Sequence, residues 1–343
     1  MPDAPVRPRL ADVAAAAGVS KSAASKVLNN APSASVSAGT RERILSAAKR
    51  LGYRPHGPAR SLATGRTGAI ALVLPSIANP THATIARGAT RRALELGFMT
   101  LTAEDLGDAG SREELEMVVE SGRIDGVLVG SASATSDLPF VLRRTGIPHV
   151  FVNRSNPQGQ ANIVMDVAES ARAAVDFLVK LGHRRLGHIG GPEDVTPSLD
   201  RIRAFRERCR ELALPEPVFA MQEFDEHGGS RGLASLRAAS EPPTALFTSS
   251  FAQAVGVLGT AARIGLAVPD SLSVLANDDY PMADYLVPSL STVVTPLAEL
   301  GAAAVDALVA IVRGGEPRSI VIPTSPTIIA RASTAAPPPS DPS

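Results

Sequence analysis

Residues 18–30, GVSKSAASKVLNN, place two lysines and three serines among small apolar residues, a pattern too polar for an ordinary core helix. Wound at about 100° per residue, the stretch brings four polar side chains into one arc of about 140°: Lys21, Ser22, Ser25 and Lys26. Ala23, Ala24 and Val27 fall on the other side and form a small apolar face for packing. Hydrogen-bond donors that begin in the first helical turn are typical of a recognition helix whose N-terminal end enters the DNA major groove.

The charge of the chain is unevenly distributed, although Lys and Arg balance Asp and Glu at 34 each. Residues 1–66 contain eleven Lys and Arg against three Asp and Glu, a net charge of +8, and the rest of the chain carries −8. A basic end of this kind is an electrostatic footprint for a polyanion. The same charge would also suit a solvated basic face, so charge alone leaves both interpretations open.

Two short helices around a tight turn are predicted to position these lysines and serines. The first helix has apolar residues at helical spacing, namely Leu10, Val13, Ala14 and Ala17. Gly18 suits a turn that needs positive φ, and Ser20 is a good N-cap for the second helix. A third helix is predicted between Ser37 and Gly52, with an inner stripe of Ile44, Leu45, Ala48 and Leu51.

From residue 68 onward, apolar strands alternate with amphipathic helices. AIALVLP, DGVLVGS, PHVFVNR, RLGHIGG, TALFTSS and LSVLAND are segments of this kind. This alternation predicts parallel sheets flanked by helices, and its length suggests two doubly wound subdomains. Ligands in such folds lie beyond the carboxyl ends of the strands, so two facing subdomains can form one cleft between them.

Several fragments, in order, resemble the lactose-repressor (LacI/GalR) family of transcriptional regulators. They are LADVAAAAGVSKSAASKVLNN, VSAGTRERILSAAKRLGYRP, ARSLATGRTGAIALVLP, GRIDGVLV, LGHRRLGHIGGP, RIRAFRERC, VPDSLSVLANDD and VPSLSTVVTPLAELG, within roughly residues 9–334. The resemblance implies a small all-α helix-turn-helix domain joined by a hinge to an α/β core of two doubly wound parallel-sheet subdomains, which is periplasmic-binding-protein-like.

The resemblance also implies where the domains begin and end. The DNA-binding domain is predicted at 1–56, the hinge at 57–67, and the effector-binding and dimerisation core at 68–334. Within the core, the N-subdomain is placed at about 68–164 and 294–324 and the C-subdomain at about 165–293 and 325–334. The chain is then expected to cross between them near Met165, Val294 and Thr324. Residues 335–343 are rich in Pro and Ser and are predicted to be disordered.

In the family, the second helix reads bases through positions that match Lys21, Ser22 and Lys26. The residue at the position of Lys26 is typically arginine, which can bind guanine through two hydrogen bonds, whereas lysine is a flexible point charge. The resemblance further implies a hinge that folds on DNA, with Leu62 as a minor-groove wedge and Ala59 as the small residue that lets two copies approach. The alternative is a flexible tether with Leu62 packed on the core.

Polar residues that follow the predicted strands are the candidates for effector binding. They are Ser76, Asn79, Arg154, Asp166, Arg201, Ser250 and Asp278, and Phe224 lies where the family often has an aromatic residue that stacks on a sugar. Arg201 and Asp278 match the usual ligand contacts of the family, and such a pair can grip vicinal hydroxyls because one side chain donates and the other accepts.

The chain departs from the family pattern at several of these positions. Thr81-His82 replaces an aromatic residue, Ser250-Phe251 replaces Asn-Asp, and Asn277 replaces another aromatic residue. Met165-Asp166-Val167 stands where Val-Asp-Asn is frequent. These changes leave the fold prediction intact, but an ordinary sugar becomes less certain as the effector. A solute-binding-protein-like sensor, or a regulator that has lost its effector response, is the alternative function.

An enzyme is not expected, because the chain has no Walker loop, no Gly-x-Gly-x-x-Gly, no Gly-x-Ser-x-Gly and no metal-ligand spacing. No cofactor or metal is therefore predicted. The sequence shows no apolar signal segment and no membrane-spanning run, and it has one cysteine, so a cytoplasmic location is expected. The predicted partners are a double-stranded DNA operator, a small-molecule effector and a second copy of the chain, with no membrane.

Overall fold

The structure is a computed structural model that describes residues 8–28, 36–53, 66–105, 108–130, 138–157, 159–193 and 195–337. The chain divides into two compact units, with the boundary between Gly68 and Ala69. The N-terminal unit is helical, and the C-terminal unit, called the body below, contains both sheets.

Three helices build the N-terminal unit: α1 Leu10–Ala17, α2 Lys21–Leu28 and α3 Ala38–Leu51. Gly18 ends α1 in the left-handed conformation at φ 63°, and the Ser20 hydroxyl accepts a hydrogen bond from the Ala23 amide at the start of α2 (3.1 Å). The two short helices therefore begin and end where the turn residues require.

The core of this unit is a cluster of eight buried residues from all three helices: Val13, Ala14, Ala17, Ala24, Val27, Ile44, Ala47 and Ala48. The predicted inner stripe of α3 was wrong in part, because Leu45 is 48% exposed and Leu51 is 36% exposed. Ala47 takes the buried place between Ile44 and Ala48, since these three positions lie three and four residues apart on one helix face.

The body contains two six-stranded sheets. Its strands are β1 Ala69–Leu74, β2 Met99–Glu104, β3 Gly126–Val129, β4 His149–Val152, β5 Asn162–Met165, β6 Leu186–Gly190, β7 Val218–Met221, β8 Ala245–Thr248, β9 Ser273–Asn277, β10 Ser291–Val294, β11 Ile320–Ile322 and β12 Thr327–Ile329. The first sheet has the order β11-β5-β4-β3-β1-β2, and the second has β12-β10-β9-β8-β6-β7. All neighbouring strands are parallel except β12, which is antiparallel to β10.

Eight α-helices and one short 3₁₀-helix (Pro281–Tyr285) are described in the body. The α-helices are α4 Pro80–Glu95, α5 Ala109–Glu120, α6 Leu138–Thr145, α7 Val167–Lys180, α8 Thr196–Glu211, α9 Glu226–Arg237, α10 Phe251–Arg263 and α11 Leu297–Val312. The predicted α/β core of two subdomains is confirmed. Of the helices in the described part of the chain, none has the length and apolar character needed to cross a membrane.

The chain passes between the two sheets three times: after Met165, after Val294, and between Ile322 and Thr327. Helix α11 therefore packs on the first subdomain although it follows a strand of the second. Its Gly301 crosses α4 so closely that a Cβ there would collide with the carbonyl of Ile85. Two of the crossing segments are also tied together, because the Thr324 hydroxyl donates to the carbonyl of Asp166 (2.9 Å).

The ordered body extends further towards the C-terminus than the predicted boundary at residue 335. The Ala335 amide donates to the Ser273 hydroxyl (3.0 Å), and its carbonyl lies 2.9 Å from Nε2 of buried His183. These contacts hold residue 335 on the edge of the second subdomain. The rest of the Pro/Ser-rich segment, from 338 onward, lies outside the described residues.

Candidate functional site

The exposed face of α2 carries three of the four polar side chains proposed for DNA contact. Lys21, Ser22 and Lys26 are exposed and Ser25 is half-buried, whereas Ala24 and Val27 are buried in the three-helix core. The helix is thus anchored by its apolar side and presents two cations and a hydroxyl on the other. A role of these side chains in base recognition stays a prediction.

The hinge residues Ala59 and Leu62 lie outside the described residues. The proposed minor-groove wedge therefore also stays a prediction.

A cleft with a volume of about 470 Å³ lies between the two subdomains of the body. Its walls include side chains that follow the carboxyl ends of β1, β4, β8 and β9, which is where a doubly wound fold places its ligands. Seven of the eight proposed effector-binding residues line it: Ser76, Asn79, Arg154, Arg201, Phe224, Ser250 and Asp278.

Asp166 is the exception, and its prediction as a cleft residue needs correction. Met165 and Val167 line both the cleft and a neighbouring surface pocket, whereas Asp166 lines only the surface pocket. The Asp166 carboxylate accepts a hydrogen bond from the Ala168 amide (3.1 Å) and caps the N-terminus of α7.

Replacing Asp166 by alanine should lower the stability of the body by about 1 kcal/mol, the usual cost of losing a helix N-cap. It should leave effector binding unchanged. Urea unfolding of the full chain measures the first effect, and Asp166→Asn, which keeps a capping oxygen, should recover most of it. Loss of ligand binding at unchanged stability would contradict this assignment.

Asp278 lies at the centre of a hydrogen-bond network in the cleft. It follows β9 with φ at 69°, and its carboxylate is buried. Thr295 and Asn277 (2.8 Å) donate to Oδ1, and Thr81 (3.0 Å) and Tyr280 (3.5 Å) donate to Oδ2. Burial raises the pKa of Asp278, while the hydrogen bond from Thr295 and the charge of Arg201 act in the opposite direction.

The hydrogen bond from Thr81 joins the two subdomains directly. Thr81 begins α4 in the first subdomain, and Asp278 belongs to the second, 197 positions further along the chain. The Thr81 hydroxyl is also 3.0 Å from that of Tyr280. A residue that departs from the family pattern thus forms a bond across the cleft that sequence reasoning did not find.

Arg201 differs from Asp278 in its hydrogen bonding. Its side chain projects from α8 into the cleft and the residue is only 6% exposed, yet its Nε has no hydrogen-bond partner among the described residues. Burial lowers the pKa of Arg201, and the charge of Asp278 partly offsets this effect. The guanidinium is a buried cation whose donors are available to a ligand.

The side chains of Ser250 and His82 are hydrogen-bonded to other groups of the protein. The Ser250 hydroxyl accepts from the Gln253 amide (3.2 Å) at the start of α10 and donates to the carbonyl of Phe224 (3.2 Å). Nδ1 of His82 lies 2.9 Å from the carbonyl of Ser76, and burial lowers the pKa of His82. Ser250 thus holds the segment that carries Phe224, and His82 favours the neutral form.

Sequence reasoning missed other residues of the cleft, namely Thr81, Asn153, Glu223 and Ser249. It also missed Tyr280, which contacts the Thr81 hydroxyl, and Thr295, which donates to Asp278. Asn153, Ser249 and Thr295 follow β4, β8 and β10, so the rule that selected the other candidates would have found them. Within the described ranges no cluster of three or more His, Cys, Asp or Glu side chains could hold a metal ion.

The chain is similar to known proteins over most of its length. Residues 9–56 match the bacterial regulatory proteins of the lacI family, and residues 175–334 match the periplasmic binding protein-like domain. The HTH-type transcriptional repressor CytR of Escherichia coli (strain K12) is 30% identical over 298 residues, which cover 84% of this chain and 85% of CytR.

Solved structures share the fold. The transcriptional regulator CelR in its complex with cellobiose is 28% identical, with a TM-score of 0.72 over 95% of this chain and 100% of CelR. The lac repressor dimer bound to operator and an anti-inducer has a TM-score of 0.78 over 96% of this chain and 99% of the repressor chain, at 23% identity.

Proposed function

The chain belongs to the LacI family of bacterial regulatory proteins, and from this premise we propose that it is a transcriptional repressor that binds a palindromic DNA operator as a homodimer. A small molecule in the cleft controls its affinity for DNA. The observation that carries the proposal is the amphipathic character of α2: Lys21, Ser22 and Lys26 are exposed, and the opposite, apolar side of the helix is buried. Such a helix can enter the major groove without losing its packing.

Dimerisation is supported by large apolar side chains that are exposed on the surface of the body. Tyr285 is 84% exposed and Val287 is 92% exposed beside the 3₁₀-helix, and Leu94 (72%) and Met99 (70%) are exposed on the first subdomain. Large exposed apolar residues in groups are typical of interfaces. A two-fold dimer matches the two half-sites of a palindrome, and Ala59 and Leu62 of each hinge would then meet in the minor groove.

Control by an effector is supported by the shape and position of the cleft. Its volume of about 470 Å³ suits a small metabolite, and the related CelR has been solved with cellobiose. A ligand changes the affinity for DNA only through its different affinities for the two arrangements of the subdomains. The Thr81–Asp278 hydrogen bond between the subdomains contributes to one of these arrangements.

The proposal predicts strongly salt-dependent binding to a palindromic duplex. The basic N-terminal segment neutralises phosphates and releases counterions, so six to ten phosphate contacts would lower the affinity by about 10³- to 10⁵-fold between 50 and 200 mM salt. Fluorescence anisotropy on operators selected from random DNA measures this slope, and a single half-site duplex should bind more weakly. A solute-binding sensor would bind both duplexes equally poorly at any salt concentration.

The alternative of a repressor without effector response predicts the same DNA binding but no ligand. Thermal unfolding in the presence of sugars, sugar phosphates, sugar acids and nucleosides separates the two functions. An effector should raise the melting temperature of the body and change the affinity for the operator in the same concentration range.

A further inference from the structure

Arg201 and Asp278 are not equally available to a ligand. The carboxylate of Asp278 receives four donors from its own chain, two on each oxygen. A neutral polyol needs an acceptor for its hydroxyl protons, and most of the lone pairs of this carboxylate are already in use, although the Tyr280 hydroxyl lies closer to the Thr81 hydroxyl (3.0 Å) than to Oδ2 (3.5 Å). Within the described residues the Arg201–Asp278 pair therefore offers more free donors than free acceptors, and the buried acceptor of the cleft without a partner is Oδ1 of Asn277.

The guanidinium of Arg201 has no hydrogen-bonded acceptor among the described residues, although the charge of Asp278 acts on it. Its Nε is buried without a partner, and no hydrogen bond or ion pair of its side chain occurs within the described part of the chain. His188 interacts with it electrostatically but stays neutral, because burial and the charge of Arg201 lower the pKa of His188 to about 3. A buried, unpaired guanidinium is costly, and a planar oxyanion matches its fork of parallel N–H groups.

We propose that the effector carries an oxyanion group, a carboxylate or a phosphate, that binds Arg201 in the interior of the cleft. This inference rests on the proposed function of the cleft as the effector site. The ring or chain of the effector then lies against Phe224, and hydroxyls on it are secondary to the anionic group. The ligand class is accordingly acidic metabolites rather than neutral sugars.

The other charges around the cleft are of both signs, and buried Asp278 is the carboxylate that interacts with Arg201. Arg154 lines the opposite wall on the first subdomain, and its positive charge contributes to the lowered pKa of His82. Glu223, Asp225 and Glu226 also line the cleft, but all three are exposed to solvent, where water and salt screen their charge. The Asp225 carboxylate also accepts from the Gly228 amide at the start of α9 (2.6 Å).

Inorganic phosphate is the first probe, with thermal unfolding of the full chain as the readout. Phosphate should raise the melting temperature of the wild type by about 2–4 °C more than chloride at equal ionic strength, with saturation. Arg201→Met should abolish the saturable rise in melting temperature. Arg201→Lys should weaken phosphate binding at least tenfold, because lysine lacks the parallel N–H donors of the guanidinium. Arg203→Met, a matched control on the exposed side of α8, should respond as the wild type does.

The Arg201→Met protein without ligand gives an independent result. It should melt within a few degrees of the wild type, because the Arg201 side chain makes no hydrogen bond among the described residues, although loss of its charge beside buried Asp278 acts against stability. A clear fall in melting temperature would assign Arg201 a structural role and overturn the proposal. So would a saturable phosphate response that persists in Arg201→Met.

Matched pairs of compounds identify the anion and test the ligand class. Ribose is compared with ribose 5-phosphate, and galactose with galacturonate, by calorimetry. The acidic member of a pair should bind at least tenfold more tightly, and the pair that shows the difference distinguishes phosphate from carboxylate. Equal or tighter binding of the neutral members, or no preference in either pair, overturns the proposal. Operator binding by the same wild-type sample, measured separately, reports on the proposed function itself.

Discussion

Replacing Val27 by aspartate should unfold the N-terminal unit and reduce operator binding by about a thousandfold or more. Val27 is 1% exposed and lies in the single apolar cluster that holds the three helices together. Burial of an unpaired carboxylate costs several kcal/mol, and so small a unit has little stability to lose. Circular dichroism and anisotropy on the operator duplex measure the two effects.

The body should keep its own unfolding transition in this variant, because Val27 belongs to the core of a separate compact unit. Ala15→Asp is the matched control, since it adds the same charge to the same unit at an exposed position of α1. It should leave the unit folded. A Val27→Asp protein that still shows the helical signal of the unit and binds the operator would contradict the role of this core.

The fold could be predicted from sequence because its signals are local. The apolar run of β1 and the alternation of strands and helices do not depend on distant residues. The mistakes concern the placement of side chains: Leu45 of α3 is exposed, and Asp166 caps α7 and does not line the cleft. The direction of each side chain depends on which face of its helix or strand packs against neighbouring elements. An error of one position in the predicted pattern assigns the side chain to the wrong face.

The composition of the cleft was more predictable than its bonding. Polar residues after strands converge there because the carboxyl ends of parallel strands share one edge of each sheet. The contact between Thr81 and Asp278 joins positions 197 apart, whereas Thr295 reaches the same carboxylate because it follows β10, the parallel neighbour of β9. No local sequence pattern shows which donors bind a given carboxylate. The sequence therefore could not show that Asp278 is hydrogen-bonded within the protein while Arg201 is not.

The second prediction with a large expected effect concerns the reading face of α2, which is the exposed side that carries Lys21, Ser22 and Lys26. Removing both Lys21 and Lys26 by alanine substitution should lower operator affinity by about 2–6 kcal/mol, if each contributes a base contact of about 1–3 kcal/mol. Binding to random DNA should fall less, so the specificity ratio should shrink. Lys26→Ala alone should also change the ranking of operator variants, because a base-reading side chain discriminates at particular positions.

Lys49→Ala is the matched control for this experiment. Lys49 is exposed on α3 of the same unit and carries the same charge, but it lies outside the reading face. If Lys49 contacts a phosphate, its loss in Lys49→Ala should weaken binding uniformly across sequences and lower the salt slope by about 1. If Lys26→Ala also left the ranking of operator variants unchanged, Lys26 would act as a phosphate ligand, and recognition would depend on Lys21, the Leu62 wedge and DNA shape.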